Sequence, residues 1–193
     1  MAAYQAHGRV AIEVGDWAEL KQVLAALRAL HDEAAARGAR GAAAAAVGAA
    51  EFEGYSLLLA AAAGREVLAL ELREVARRGA LSRDPVLRLA LAAACAASSG
   101  NRVALLRLYA AAPKMTPYLL DLLVERGRAR AYACALSAYG GELPTAALGE
   151  LWLGLGDDAA AAARWARARG GALRAGGAAL DVRASRLGLA ARS

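Results

Sequence analysis

Apolar residues recur at three- and four-residue intervals over the first 140 positions, and breaks in that rhythm fall on caps and glycines. A first helix is predicted from Ala3 to Val14, stopped by Gly15. Asp16 with Glu19 three residues later is a D-x-x-E form of the capping box. The helix it opens sets Leu20, Val23, Leu24, Leu27 and Leu30 on one stripe and decays between Arg37 and Gly41. Residues Ala42 to Ala50 are low in complexity and read as an inserted loop or a frayed helix. A third helix from Glu51 carries Phe52, Tyr55, Leu58 and Leu59 and ends at Gly64. A fourth, Arg65 to Arg78, carries Val67, Leu68, Leu70, Leu72 and Val75. Asp84-Pro85 is a cap followed by proline at the first helical position. It opens a fifth helix with Val86, Leu87, Leu89 and Leu91 that ends at Ser98-Ser99-Gly100. Asn101 opens a short sixth helix through Tyr109, closed by Pro113. Thr116-Pro117 repeats the cap-plus-proline start for a long seventh, to about Tyr139.

After Gly140-Gly141 the texture changes. Leu143-Pro144-Thr145 is predicted as a short strand leading into a helix from Ala146 to Trp152. Asp157-Asp158 caps another, Ala159 to Arg169. Two glycine pairs, Gly170-Gly171 and Gly176-Gly177, flank segments that end in Leu180, Val182 and Ala184, alternating as a strand does. Helix, helix and a glycine-turned hairpin is the order of a winged helix. The expected fold class is therefore all-α: a solenoid of helical hairpins over residues 1–140 and a small winged-helix unit over residues 141–193. No strict sequence period accompanies the hairpins.

Composition sharpens this. Hydrophobic residues make up 59% of the chain, and most are alanine, which favours helix but buries little area. Leucine must anchor the core, at about 1.5–3 kcal/mol for each fully buried side chain. Ile12 is the lone isoleucine, which argues against a large sheet. Arginine is abundant while Lys21 and Lys114 are the only lysines, a bias that a GC-rich genome produces by itself. Net charge is +6 with a pI near 9.8. That balance fits nucleic acid, acidic proteins or simply a solvated basic surface. Cys95 and Cys134 stand in apolar helical stretches and are expected as buried, reduced thiols. No zinc spacing, signal peptide or membrane span is read.

Catalytic chemistry finds no constellation. His7 and His31 are the only histidines, and neither has a partner in sequence that would position it as a base. Asp157-Asp158 suits a helix start, and the glycine pairs lack a phosphate-loop context. The chain is expected not to be an enzyme, with no cofactor, metal or small-molecule substrate. The arginines are the functional candidates, because guanidinium forks bind phosphate. Arg126, Arg128 and Arg130 cluster on the seventh helix, with Arg102 and Arg107 as possible neighbours. Arg164, Arg167 and Arg169 fall on the helix in the recognition position, with Trp165 among them as a stacking platform or a core residue. Arg183 and Arg186 lie in or after the last strand.

Three stretches together resemble the Sac-three/GANP/Thp-three family. Tyr4 to His31 is similar to the helical hairpin that opens its conserved region, and EFEGYSLLL from Glu51 to the next helix. Leu87 to Tyr139 is the closest stretch, with its Ser-Gly-Asn turn, Leu-Tyr, Ala-Pro and long helix bearing Asp121. This last stretch looks most like the branch of leukocyte receptor cluster member eight. The segments from Leu143 and from Leu180 resemble the winged-helix end of a PCI module. The alanine tract near Ala42 departs from the family as an insertion. So does the absence of its upstream conserved region, as in a fragment of a longer protein. The resemblance implies a nuclear, non-catalytic PCI scaffold of mRNA export or of mRNP assembly coupled to transcription or splicing. It implies pairing with a second PCI-domain protein and a shared basic surface for RNA. Two alternatives stay open: a structural PCI subunit of a lid- or signalosome-type complex, and a DNA-binding winged-helix regulator.

Overall fold

The computed structural model describes residues 1–37, 48–77 and 84–190. The chain is mostly helical and divides into two compact units, Met1–Glu125 and Arg126–Ser193. The division falls inside the long seventh helix, whereas the expected boundary at residues 140/141 lies just past its end.

The first unit contains α1 (Ala2–Val14), α2 (Trp17–Ala36), α3 (Ala49–Ala63), α4 (Arg65–Arg77), α5 (Pro85–Ser99), α6 (Arg102–Ala110) and the start of α7 (Thr116–Ala138). Local chemistry sets the boundaries. The side chains of Asp16, Asp84 and Asn101 accept hydrogen bonds from the first-turn amides of α2, α5 and α6. Gly15 and Gly100 close α1 and α5 in the left-handed conformation. Thr116 departs from the expected cap. Its hydroxyl is buried and makes no hydrogen bond among the described residues, and the turn is closed by its own amide donating to the Pro113 carbonyl at 3.2 Å. The expected low-complexity segment falls largely outside the described residues, but Ala49 and Ala50 already belong to α3.

Helix α3 is the axis of this unit. It packs against α2, α4 and α5 and is buried on nearly every side. Gly54 permits the closest approach: a Cβ there would stand 3.0 Å from the Val86 side chain and 3.4 Å from its backbone carbonyl. Around α3 the core gathers Leu20, Val23, Leu24 and Leu27 of α2, Val86 and Leu87 of α5, and Leu119, Leu120 and Leu123 of α7. Helix α4 is the exception to the sequence pattern. Only Leu68 and Val75 are buried, and Val67, Leu70 and Leu72 are exposed.

Two carboxylates are buried with α3, a feature the apolar pattern does not predict. Glu51 is 2% exposed and accepts from Arg9 of α1 at 3.1 and 3.2 Å, from Tyr55 at 2.9 Å and from Lys114. Burial works to raise the Glu51 pKa, but these donors outweigh it and hold the carboxyl below its usual range. Glu53 accepts from Arg28 of α2, which also binds Glu71 of α4 and Ser56. Both clusters tie α3 to its neighbours, and both satisfy the rule that a buried charge is paired.

The second unit contains the rest of α7, strand β1 (Glu142–Pro144) and a one-turn helix α8 (Thr145–Ala147) that continues as a π-helix, Leu148–Leu153. Then follow α9 (Ala159–Ala168), β2 (Ala172–Arg174), β3 (Ala179–Asp181) and α10 (Val182–Ala190). The sheet is antiparallel in the order β1-β3-β2, with Leu143 and Leu173 both opposite Leu180. Its core is Tyr132, Leu136, Leu143, Leu148, Leu153, Ala162, Ala166, Leu180 and Val182.

Two expectations are corrected. Val182 and Ala184 do not extend the strand: the Asp181 carboxylate accepts from the Ala184 amide at 3.0 Å and starts α10 there. Cys95 and Cys134 are free thiols, as expected, but exposed rather than buried. On α5 the buried stripe runs through Ala90, Ala93 and Ala94, which leaves Cys95 on the outer side with Arg88 and Ala92. On α7 Tyr132, Ala135 and Leu136 take the inner side, leaving Cys134 outward. In an alanine-rich helix every face looks apolar, so the sequence does not single out the buried one.

Candidate nucleic-acid interface

Arg102 and Arg107 lie on α6 in the first unit; the other arginines nominated as phosphate contacts lie in the second, and hydrogen bonding divides them. On α7, Arg126 and Arg130 are four residues apart, share a face and are exposed. Arg128 is turned away from them and half-buried, and its Nε donates to the Leu153 carbonyl at 3.0 Å. It caps the end of the π-helix.

Arg183 and Arg186 of α10 do similar work. Arg183 Nε donates to the Gly140 carbonyl at 3.1 Å. Arg186 donates through Nε to Leu136 O at 2.6 Å and through Nη2 to Ser137 O at 3.2 Å and Tyr139 O at 2.7 Å. Those carbonyls belong to the last turn of α7 and its exit, where no intrahelical donor remains. A cation there also meets the negative end of the helix dipole. Arg186 is thus a clasp that binds α10 to the end of α7.

Helix α9 carries the remaining candidates. Asp158 caps it, accepting from the Ala161 amide at 2.8 Å. Ala162 and Ala166 are buried, which leaves Arg164 and Arg167 exposed on the outer side. Arg169 follows the helix as its C-cap, with its guanidinium over the Trp165 ring, 4.0 Å from the centroid. Trp165 is half-buried and meets the Tyr132 ring edge-on at a centroid distance of 5.6 Å. Its indole is therefore a packing element between α9 and α7, with one face already covered by Arg169. Gly171 makes this join possible: a Cβ there would lie 2.7 Å from the Tyr132 hydroxyl and 2.8 Å from the Ala166 carbonyl.

One arginine that sequence reasoning passed over completes the description. Arg174 is the cation of the β2–β3 hairpin, and it is paired with Glu142 of β1 at 3.2 Å and with Asp181 of β3. These acids raise its pKa, Asp181 foremost. The alternation of β1 and β3 was the available signal, since it sets Glu142 opposite Asp181 across the sheet. What remains for a phosphate backbone is Arg130, Arg164 and Arg167, exposed and without an ion pair among the described residues, together with exposed Arg126. Asp157 and Asp158 are exposed at the start of α9 and place negative charge at that end.

Among the described residues no group of three or more His, Cys, Asp and Glu is arranged to hold a metal ion. No helix there is long and apolar enough to cross a membrane. The chain is similar to SAC3 family protein A of Arabidopsis thaliana, 36% identical over 131 residues, which are 66% of this chain and 12% of that protein. The chain thus spans about an eighth of the length of the curated relative it matches. No family model matches the chain, and no solved structure matches it.

Proposed function

We propose that the chain is a helical-repeat and winged-helix segment of a SAC3-family scaffold. In this reading it is a PCI-type module of the leukocyte receptor cluster member eight branch. It works without catalysis in nuclear mRNA export or in mRNP assembly coupled to transcription or splicing. It pairs with a second PCI-domain protein and contacts RNA through Arg130, Arg164 and Arg167. The observation that carries the reading is the identity with the Arabidopsis SAC3 family protein over most of the chain. The order helix, strand, helix, helix, strand, strand, with β1 paired to β3, supports the winged helix. The stacked helical hairpins of the first unit support the repeat.

Specific observations favour one of the alternatives as a second reading. Arg128, Arg174, Arg183 and Arg186 are committed to carbonyls and carboxylates of the unit itself, as in a structural PCI subunit with no RNA role. The exposed acids at the start of α9 disfavour a DNA-binding regulator, because a recognition helix meets the duplex with its first residues. Purification of the tagged full chain from nuclear extract, with and without ribonuclease, separates the readings. The scaffold reading expects a PCI protein retained after nuclease and RNA recovered without it. Recovery of lid or signalosome subunits without RNA would give the structural reading precedence.

A further inference from the structure

The outer face of α6 is apolar and basic, and nothing among the described residues of the first unit covers it. Asn101 fixes the start of the helix, accepting from the Ala104 amide at 3.0 Å. Leu105 is driven into the core, with Ala104, Leu108 and Tyr109 packed partly against it. The opposite side then carries Val103, Leu106, Arg107 and Ala110, at the i, i+3, i+4, i+7 spacing of a single helical face. Val103 is 58% exposed and Leu106 38%. Tyr109 donates its hydroxyl to Asp121 at 2.9 Å, which holds α6 against α7 and keeps this face outward.

Along the sequence that bears this face the charge has one sign. From Pro85 to Leu120 the chain contains Arg88, Arg102, Arg107 and Lys114 and no Asp or Glu. Lys114 is bound to the buried Glu51. Arg88 and Arg107 are exposed and form no ion pair among the described residues. The flanking acids are occupied, Asp84 as the cap of α5 and Asp121 by Tyr109.

We infer that this face of α6 is a docking surface for an acidic amphipathic helix of a partner protein. Val103, Leu106 and Ala110 receive its apolar stripe, and Arg107 receives a carboxylate. Exposed branched aliphatics beside a basic group favour a peptide over a nucleic acid, whose backbone offers nothing for Val103 and Leu106 to bury. The surface belongs to the first unit and Arg130, Arg164 and Arg167 to the second, and the inference stands whether or not those residues bind RNA.

The test uses the full chain and three fluorescent probes. One is an amphipathic peptide with leucines at helical spacing and glutamates between them. The second is a scramble of the same composition, and the third is an oligouridylate. The amphipathic peptide should bind more tightly than its scramble. Leu106→Glu should weaken it at least about tenfold, a loss of about 1.4 kcal/mol. Arg107→Glu should weaken it severalfold and restore binding to a peptide in which lysines replace the glutamates. Both positions are exposed, so an unchanged helical circular dichroism spectrum and melting curve establish that each variant is folded. Equal binding of peptide and scramble, or no binding, would overturn the inference. So would loss of oligouridylate binding in Arg107→Glu with the peptide unaffected, which would make the face a nucleic-acid site.

Discussion

The Arg169 guanidinium lies over the Trp165 ring at 4.0 Å, and the same indole meets Tyr132 of α7 edge-on. A tryptophan among arginines suggested either a platform for a nucleic-acid base or a core residue, and these contacts favour a joint within the unit. Trp165→Ala should therefore act on stability first. Truncating a large aromatic of this kind costs about 3–5 kcal/mol when fully buried, and less at a half-buried site. Thermal denaturation of the variant should show a clear fall in Tm. RNA affinity measured below that transition should change little. A selective loss of affinity at unchanged Tm would return Trp165 to the stacking role.

Arg186 makes an equally specific prediction. It holds three carbonyls at the end of α7, and hydrogen bonds to a charged group contribute about 1.5–3 kcal/mol. Arg186→Gln should lower stability in chemical denaturation, while the dependence of RNA binding on salt stays as it was. A variant of unchanged stability with a flatter salt dependence would make Arg186 a phosphate contact.

The fold was legible where chemistry is local. The caps at Asp16, Asp84, Asn101 and Asp158 and the leucine stripe of α2 follow from residue type and spacing. What could not be read depends on which elements come together. Glu51 and Glu53 look like ordinary surface acids until α1 and α2 bring arginines to them. Arg183 and Arg186 look like a basic cluster until the end of α7 is placed beside them. The arginine count was therefore a poor guide to the candidate interface. In a chain whose basic side chain is nearly always arginine, the same residue serves as cap, clasp, ion pair and exposed charge.

Glu51 should give a pH signature. Its carboxyl is held below the ordinary value by Arg9, Lys114 and Tyr55 against the effect of burial. A depressed folded-state pKa contributes stability that is fully present above the unfolded value, about 4.3 for glutamate. It is lost as pH falls through the folded value. Glu51→Gln should be less stable than the parent near neutrality, by about 1–3 kcal/mol, since Arg9 and Lys114 are partly exposed and regain water. The gap should narrow as pH falls below about 4. Urea denaturation at several pH values measures it, and a gap independent of pH would mean that ionisation of Glu51 contributes nothing.

The core of the first unit is tested at Leu123. It is 1% exposed and lies in one cluster with Leu119, Leu120 and residues of α3 and α5. Leu123→Ala should cost about 2–5 kcal/mol, the span reflecting how far the surroundings close over the cavity. A change in unfolding midpoint too small to detect would remove Leu123 from the core.

The last prediction concerns the three exposed arginines. Arg130, Arg164 and Arg167 have no ion pair among the described residues, so replacing them breaks no clasp of the kind made by Arg128 or Arg186. If they neutralise phosphates of a single strand, each contributes about −0.7 to the slope of log affinity against log salt, about −2 together. Replacing all three with glutamate should weaken RNA binding, flatten the slope by about that amount and leave melting nearly unchanged. Binding should be insensitive to base sequence, since guanidinium contacts to phosphate carry no sequence information. The measurement is fluorescence anisotropy on homopolymeric oligonucleotides over a range of salt. It should be made with the chain alone and together with the proposed PCI partner, since in that proposal the paired modules share the surface. A triple variant that keeps the parent's slope but no longer retains the partner would make this face a protein interface. The chain would then act as a structural subunit.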